Sequence, residues 1–338
     1  MLNHIYQLIT PKTIAVKYDD VNVENQVIIQ PEYLSLCHAD QRYYQGKRDA
    51  KVLRKKLPMA LIHEGCGRVL YDPTGTFKTG ESVVMIPNVP SDPNEKIIYE
   101  NYGKGAGFLS SGKDGFMREF VNLPVDRVVS CNGVDKRIAA ITEFVSVGVH
   151  AVGRFEMFSH KYKGRIGIWG DGSLAYIVSN ILKRKYPKSQ IIVVGRNINK
   201  LQQFSFADET WLVDDLNDSF MVDHAFECAG GEGSYYAIDD IIHTINPQGT
   251  VMLMGVSENK VPINTRDILE KGLSFVGCSR SGRKDFEEAV TYMKDEAFQR
   301  RLKTIIYEAK PIKNIKDIHQ VFSDDLNTDF KTVFKWEI

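Results

Sequence analysis

The stretch between residues 163 and 200 is the feature of the sequence that most restricts the fold. An apolar run at 165–169 leads into a turn that begins at Gly170, and an apolar helical stretch follows at 174–185. A second apolar run, at 191–194, completes the order strand, glycine turn, helix, strand. This order predicts a parallel βαβ unit, from which doubly wound α/β sheets are built.

The glycine turn itself has the composition of a dinucleotide-binding loop. Gly170 permits a tight turn, Gly172 lets backbone N–H groups approach a pyrophosphate, and Ala175 lets the helix lie close to the strand. The N-terminus of the helix, near Ser173 and Leu174, would face the phosphates with its positive dipole end. We therefore predict that these turn residues bind a dinucleotide.

The end of the second apolar run indicates which dinucleotide binds. An acidic residue about 20 residues beyond the glycines would hydrogen-bond the 2′-hydroxyl of NAD. Here the run ends in Gly195 and Arg196, with Lys200 one turn further on. A guanidinium can pair with a 2′-phosphate through two hydrogen bonds, so the sequence favours NADPH. The alternative is that Arg196 and Lys200 are solvated loop charges.

Chain length and the pattern of apolar runs predict two domains. At 338 residues the chain is long for one hydrophobic core. Short runs of strand length between residues 5 and 126 predict a compact β-rich region, and dense apolar residues at 137–152 predict a buried helical region. From 163 to 278 strands and helices alternate, which predicts a doubly wound parallel (Rossmann) sheet. Gly255 ends one of its strands and is expected to contact the dinucleotide.

Charge and cysteine content exclude several classes of function. Lys plus Arg and Asp plus Glu each number 43, so no overall field recruits nucleic acid or an anionic membrane. An anionic ligand must therefore meet a local cluster of cations. We find no signal peptide and no apolar run of membrane-spanning length. The five cysteines are scattered, which argues against a disulfide framework, and a cytoplasmic enzyme fits these features.

Three separate segments carry side chains that zinc prefers. Cys37 lies in the first segment, His63 and Glu64 lie in the second, and Glu143 opens the third. A thiolate, an imidazole and carboxylates hold catalytic zinc, which keeps one coordination position open. Because adjacent residues of a strand point to opposite faces, His63 and Glu64 can reach one metal only where the backbone is irregular. The glycines at 65 and 67 would permit such an irregularity.

These residues, taken in chain order, resemble the zinc-dependent medium-chain dehydrogenases. The matching features are Cys37, the segments 63–69, 79–84 and 143–151, and the turn at Gly170. The resemblance spans nearly the whole chain. It implies a β-rich GroES-like catalytic domain, formed by 1–148 and 285–338, and a Rossmann dinucleotide-binding domain formed by 149–284.

The resemblance also implies a set of metal ligands. Glu143 is typical of the polyol dehydrogenase branch, whose zinc is held by Cys, His and glutamates. We therefore expect Cys37, His63 and Glu143 as ligands, with Glu64 either an exchangeable ligand or a residue that orients the site. Residues 88–115 lack the four closely spaced cysteines of the family's structural zinc lobe, so we expect one catalytic zinc and no structural zinc.

The route of the proton differs from the family's usual pattern. The second position after the metal-binding cysteine is often a Ser or Thr that relays the proton to the substrate oxygen, but here it is Ala39. His38, Tyr43, Glu143 or a zinc-bound water must then take this role.

Further segments resemble the ribulose-5-phosphate reductases of ribitol teichoic-acid and capsule precursor synthesis. They are 39–44, 57–59, 114–117, 168–172, 223–228 and 279–282. This resemblance implies NADPH-dependent reduction of the C2 ketone of D-ribulose 5-phosphate to D-ribitol 5-phosphate, which feeds CDP-ribitol. Arg42 and Arg280 are our first choices for the substrate phosphate, and Tyr43 is a candidate wall of the substrate pocket.

Two other functions remain open on the sequence alone. One is a zinc-dependent dehydrogenase of unphosphorylated polyols or of threonine, which shares the fold and the zinc motif. The other is a zinc-less quinone-reductase-like protein or an NADPH sensor on the same scaffold. Strands after Gly249 and Leu273 could pair in a homodimer as in the family, and a cytidylyltransferase that takes the product is a candidate partner.

Overall fold

The computed structural model describes residues 1–91 and 99–338. The chain divides into two compact units: unit 1 comprises Met1–Ser146 and Arg280–Ile338, and unit 2 comprises Val147–Ser279. The domain boundaries expected from the sequence, after residues 148 and 284, lie a few residues beyond those of the structure, after Ser146 and Ser279. Within the described part, no helix combines the length and the apolar character needed to cross a bilayer.

Strands and helices are numbered here in chain order. The strands are β1 (Leu2–Thr10), β2 (Thr13–Asp20), β3 (Val27–Ser35), β4 (Met59–Ala60), β5 (Glu64–Tyr71), β6 (Ser82–Met85), β7 (Asn88–Val89), β8 (Gly107–Phe108), β9 (Val121–Leu123), β10 (Val128–Ser130), β11 (Arg165–Trp169), β12 (Gln190–Gly195), β13 (Glu209–Leu212), β14 (His224–Glu227), β15 (Thr250–Leu253), β16 (Ser274–Gly277), β17 (Ile306–Glu308) and β18 (Lys331–Lys335). The α-helices are α1 (His38–Tyr44), α2 (Ala50–Lys56), α3 (Lys136–Ala139), α4 (Thr142–Phe158), α5 (Ser173–Lys185), α6 (Ile198–Leu201), α7 (Gly233–Thr244), α8 (Thr265–Lys271), α9 (Arg283–Met293), α10 (Glu296–Thr304) and α11 (Ile315–Asp325).

Unit 1 is built on a mostly antiparallel sheet in the order β10-β6-β5-β3-β18-β17, with β9 also paired to β3. A smaller sheet has the order β2-β1-β4. The long strand β3 is mostly apolar and largely buried. Ile29 and Leu34 of β3 and Val69 of β5 lie in the hydrophobic core of unit 1. β18, near the C-terminus, pairs antiparallel with β3, with Val333 opposite Ser35. A strand near the C-terminus therefore belongs to the same sheet as strands from the first part of the chain.

Unit 2 contains a six-stranded sheet in the order β13-β12-β11-β14-β15-β16. Every neighbouring pair in it is parallel, as the alternation of strands and helices predicted. The chain proceeds from β11 outward to β13 on one side and from β14 to β16 on the other. The strand order therefore reverses between β11 and β14, the position where ligands bind in open α/β sheets.

The helical region predicted at 137–152 consists of two helices, α3 and α4, separated at Ala140 and Ile141. The Thr142 hydroxyl at the start of α4 donates to the carbonyl of Ala139, the last residue of α3, at 2.8 Å. The density of apolar residues reports burial, but it does not show where one helix ends and the next begins.

Candidate active site

Three of the predicted metal ligands come together in unit 1. Atoms of Cys37, His63 and Glu64 that can bind a metal all lie within 4.8 Å of one another. Cys37 follows β3 and directly precedes α1, while His63 precedes β5 and Glu64 is the first residue of that strand. We call these three residues the ligand group.

The backbone irregularity that lets His63 and Glu64 face one point lies before β5. Ile62 has a φ of +70°, which is rare for a β-branched residue. Its N–H donates to Asp40 at 3.0 Å, and its carbonyl accepts from Phe116 at 2.7 Å. At Gly67, a Cβ would collide with the backbone of β3. Gly67 is therefore needed for the close pairing of β5 with β3. The irregular backbone itself lies at Ile62.

Asp40 lies beside the imidazole of the ligand group and was not predicted. Its carboxylate is buried, lies 3.6 Å from Nδ1 of His63, and accepts from the Ser110 hydroxyl at 2.7 Å and the Cys37 N–H at 3.2 Å. Burial lowers the pKa of His63, but Asp40 and Cys37 outweigh burial and raise it well above its usual value. Its position, three residues after Cys37 in the first turn of α1, is the signal that could have revealed it.

Lys331 was also missed by sequence reasoning. Its ammonium is 4% exposed and donates to Glu64 Oε1 at 2.8 Å and to the Leu36 carbonyl at 2.7 Å. It also lies 4.7 Å from the centre of the Phe144 ring. Burial lowers the pKa of Lys331, but Glu64 and then Cys37 outweigh burial, so the lysine stays charged. Lys331 is the first residue of β18, far from Glu64 in sequence, and no motif surrounds it.

The two glutamates occupy different positions. Glu64 is fully buried, and among the described residues its Oε2 finds no hydrogen-bond partner. Glu143, our first choice for the third ligand, is buried at the start of α4 but lies outside the ligand group. Burial and the charge of Glu64 raise the pKa of Glu143 to about 7, against the opposing charges of His63 and Lys331. Glu143 therefore lies beside the group and shares its electrostatic field.

The donor set fits a zinc ion. A thiol, an imidazole and a carboxylate oxygen without a partner converge on one point, and this is the mixture of ligands that catalytic zinc takes. With the Cys37 thiol ionised and His63 neutral, as metal ligands are, Cys37, Asp40 and Glu64 would carry three negative charges against the single ammonium of Lys331. Glu143, with a pKa of about 7, would add part of a fourth. A divalent cation would offset most of that excess. The expected absence of a structural zinc concerns residues 88–115, of which 92–98 are outside the described residues.

Tyr43 and the cations near it form a second cluster in unit 1. Tyr43 is buried on α1, and the guanidinium of Arg48 lies 4.8 Å from the centre of its ring. The ammonium of Lys56 lies 5.8 Å from the same centre. Burial and the charge of Arg48 lower the pKa of Arg42, which is half-buried on the same helix. Tyr43 therefore acts as a platform for cations.

Arg280 reaches the ligand group through an aromatic ring. Its guanidinium lies 5.2 Å from the centre of the Phe108 ring, and that ring lies 5.2 Å from the ring of His63. Arg280 is exposed and has a φ of +58°. The rings of Phe108 and His63 meet edge to face, so the charge of Arg280 lies one aromatic ring away from a ligand.

In unit 2 the glycine turn has the predicted form. Gly170 has a φ of +139°, and a Cβ there would approach the Cys228 backbone to 3.0 Å. Gly172 precedes α5, which begins at Ser173 and continues through Leu174. Between the glycines, Asp171 accepts from the N–H groups of Arg196 at 2.7 Å and Asn197 at 2.8 Å. Asp171 thus ties the turn to the loop that carries Arg196, a connection that the glycine pattern did not reveal.

Arg196 and Lys200 lie close together at the end of β12. Arg196 is exposed in the loop after the strand, and Lys200 is half-buried in the following short helix α6. Asn197 caps that helix by accepting from the N–H of Lys200 at 3.3 Å. Both cations therefore extend from one short segment at the carboxyl end of β12.

Gly255 has a structural explanation that sequence reasoning did not consider. Its N–H donates to Glu227 Oε2 at 2.8 Å, and a Cβ at this position would overlap the Glu227 carboxylate. The other oxygen of Glu227 accepts from Ala229, Gly230 and the Ser234 hydroxyl. The buried carboxylate therefore joins the loops that follow β14 and β15.

Two family models match the chain. The alcohol dehydrogenase GroES-like domain matches residues 23–133, and the zinc-binding dehydrogenase domain matches residues 190–295. The chain belongs to the zinc-binding dehydrogenase family.

Individual relatives are similar over the full length. The chain is 56% identical to a ribulose-5-phosphate reductase of Streptococcus pneumoniae, covering 100% of this chain and 98% of that protein. It is 44% identical to a ribulose-5-phosphate reductase of Bacillus spizizenii, with both proteins covered completely. The crystal structure of S. aureus TarJ in complex with NADPH superposes with a TM-score of 0.88 at 42% identity, with full coverage of both chains.

Proposed function

We propose that the protein reduces D-ribulose 5-phosphate to D-ribitol 5-phosphate with NADPH. Similarity to ribulose-5-phosphate reductases over the whole chain supports this substrate. The observation that carries the chemistry is the convergence of Cys37, His63 and Glu64 beside a buried Glu143. A ketone reductase of this class needs a group that polarises the ketone, a hydride donor and a proton donor, and each has a candidate here.

Zinc bound at the ligand group supplies a Lewis acid that polarises the ketone oxygen at C2. Cys37 and His63 are its first two ligands in this proposal. Glu64 is the third, because its Oε2 is buried and lacks another partner, while Lys331 holds Oε1. Glu143 is the alternative third ligand that the family resemblance implies. Asp40 orients the imidazole from the opposite side, as carboxylates do at histidine ligands.

NADPH supplies the hydride for C2. The backbone of residues 170–174 and the N-terminus of α5 bind its pyrophosphate. Arg196 and Lys200 bind the 2′-phosphate, and Gly255 lines the cofactor site next to the loop held by Glu227. Replacing Arg196 with Asp should shift the preference toward NADH by about tenfold or more, since it replaces an attractive charge with a repulsive one. An unchanged preference would show that Arg196 does not contact the 2′-phosphate.

The proton for the new hydroxyl comes from Glu143 in this proposal. A group with a pKa of about 7 is populated in both protonation states at neutral pH, which suits proton transfer. His38 is the second candidate, although burial and the charge of Arg42 lower its pKa and keep it neutral. Tyr43 is the third candidate, and its ring contacts the cations of Arg48 and Lys56.

The cellular setting follows from the product. D-Ribitol 5-phosphate would supply CDP-ribitol for teichoic acid or capsule, so we expect the enzyme in the cytoplasm and a cytidylyltransferase as a partner that takes the product. We also expect a homodimer. Size-exclusion chromatography with light scattering checks the dimer, and co-purification from the native cell checks the partner.

NADPH oxidation across a panel of substrates tests the proposal. The panel contains ribulose, xylulose and fructose with their phosphates, and threonine with NADP⁺ in the reverse direction. Ribulose 5-phosphate should have the highest kcat/KM. Equal use of unphosphorylated ribulose would favour a general polyol dehydrogenase, and full activity in a preparation that metal analysis shows to be free of zinc would favour a zinc-less reductase.

A further inference from the structure

The segment from Arg42 to Lys56 is strongly basic in a chain without net charge. It contains seven lysines and arginines and one acidic residue, Asp49. The Asp49 carboxylate caps α2, where it accepts from the N–H groups of Lys51 at 2.8 Å and Val52 at 3.3 Å. The one carboxylate of the segment is therefore engaged with backbone groups.

Two cations of this segment converge on one aromatic ring. Arg48 and Lys56 both lie over the ring of Tyr43, at 4.8 and 5.8 Å from its centre. Arg42 directly precedes Tyr43 on α1. Positive charges held over one ring suit the binding of a phosphate group. Because Tyr43 is buried, the platform under Arg48 is fixed.

Two connections place this cluster beside the ligand group. The first is the chain itself, because α1, which carries Arg42 and Tyr43, begins directly after Cys37.

The second connection is a chain of contacts that starts at Lys56. Its ammonium donates to the Ser111 hydroxyl at 2.7 Å. The neighbouring Ser110 hydroxyl donates to Asp40 at 2.7 Å, and Asp40 lies 3.6 Å from His63. The cation cluster therefore borders the ligand group from the side of α1 and α2, without belonging to it.

We propose that Arg48, supported by the Tyr43 ring and assisted by Lys56 and Arg42, binds the 5-phosphate of the substrate. The inference rests on the proposed function, in which the C2 ketone lies at the ligand group. A short carbon chain separates C2 from the phosphate-bearing C5, so the phosphate must bind next to the ligand group and outside it. A guanidinium fork pairs with phosphate oxygens through two hydrogen bonds, and stacking on an aromatic ring orients that fork.

The test compares Arg48→Met with Lys55→Met, which removes an exposed cation from the same basic segment. The zinc-loaded full-length variants are assayed with ribulose 5-phosphate and with ribulose. Arg48→Met should lower kcat/KM for ribulose 5-phosphate by about 10- to 100-fold, as the loss of charge-assisted hydrogen bonds predicts. Its activity with ribulose should stay within about twofold of the wild type, and Lys55→Met should change neither.

Several outcomes would overturn the inference. An equal loss with both substrates would mean that Arg48 supports the fold of the site, and a rise in KM for NADPH alone would assign the cluster to a phosphate of the coenzyme. If Arg280→Met no longer distinguished ribulose 5-phosphate from ribulose while Arg48→Met still did, the phosphate would bind on the Phe108 side. Circular dichroism of each variant checks that the chain is folded.

A binding measurement separates this inference from the proposed function. Calorimetry with ribitol 5-phosphate and with ribitol needs no turnover. If the wild type binds both equally, the proposed sugar-phosphate function itself fails. If the wild type prefers the phosphate and Arg48→Met keeps that preference, only the assignment of Arg48 is wrong.

Discussion

The two units bury ionisable groups in different ways. In unit 1, Asp40 faces His63 at 3.6 Å and Lys331 faces Glu64 at 2.8 Å, so ionisable side chains pair with one another. In unit 2, the buried carboxylate of Glu227 accepts from backbone N–H groups and a hydroxyl. The first arrangement collects charge around one point, as a metal site requires, while the second uses charge to hold the shape of loops.

A pair of histidines shows the same contrast. Burial lowers the pKa of both imidazoles, but Asp40 raises that of His63 well above the usual value, whereas that of His224 in unit 2 falls to about 4. His224 accepts the N–H of Thr250 at 3.1 Å on Nδ1, so its other nitrogen donates to the Tyr162 carbonyl at 2.9 Å. This pattern needs the neutral ring. The same residue type is therefore paired with a carboxylate in one unit and is a neutral structural link in the other.

The largest effect expected is the loss of the ligand group. Cys37→Ala should lower kcat/KM for ribulose 5-phosphate by about a thousandfold or more, because Lewis-acid stabilisation is worth several kcal/mol. Zinc content, measured by mass spectrometry of the purified protein, should fall with it. Cys66→Ala is the control: this buried thiol lies two residues after Glu64 but outside the group, and its removal should leave zinc content unchanged. Zinc retained in Cys37→Ala would contradict the assignment.

The next effect tests the ionic pairing of unit 1. Lys331→Met leaves the buried Glu64 carboxylate without its partner, which should lower the free energy of unfolding by about 3–5 kcal/mol. Lys335→Met removes an exposed lysine from the same strand and should leave the free energy of unfolding nearly unchanged. Urea denaturation measures both.

A double variant sharpens this prediction. Lys331→Met combined with Glu64→Gln should recover part of the stability, because no unpaired charge remains. Chelator competition should show weaker zinc binding in each variant that changes Glu64. Equal stability of the single and double variants would mean that the pair does not act as a unit.

A smaller effect tests the neutral histidine of unit 2. The unfolded chain binds a proton at His224 below pH 6.5, but the folded chain does so only below about pH 4. Stability from this residue is therefore present above pH 6.5 and is lost as pH falls toward 4, by about 2–3 kcal/mol. Urea titrations from pH 7.5 to 4.5 should show a shallower decline for His224→Gln. Identical slopes would refute the neutral assignment.

The smallest effect concerns the loop that carries Arg196. Asp171→Ala removes the acceptor of two backbone N–H groups, so KM for NADPH should rise by about tenfold, with kcat nearly unchanged. Asp72→Ala removes a comparable turn acceptor in unit 1, where Asp72 accepts from Thr74 and Phe77. That variant should leave KM for NADPH as it is. A matching rise in both would show a general loss of stability.

Local features of the fold could be predicted because neighbouring residues determine them. The turn at Gly170 follows from a backbone that only glycine adopts easily, and the strands around it follow from apolar runs. The apolar run at 165–169 is β11 with the same bounds. The gap between α3 and α4 was missed, because apolar residues continue through it.

The sequence by itself determined a parallel dinucleotide-type unit, a β-rich region and the residue types of a zinc site. Only the tertiary structure decided that Glu64 joins Cys37 and His63 while Glu143 lies beside them, and that Asp40 and Lys331 complete the charges. The physical reason is that side chains from distant segments meet through the pairing of strands and the path of loops. Their approach depends on the whole fold, whereas a glycine turn depends on a few consecutive residues.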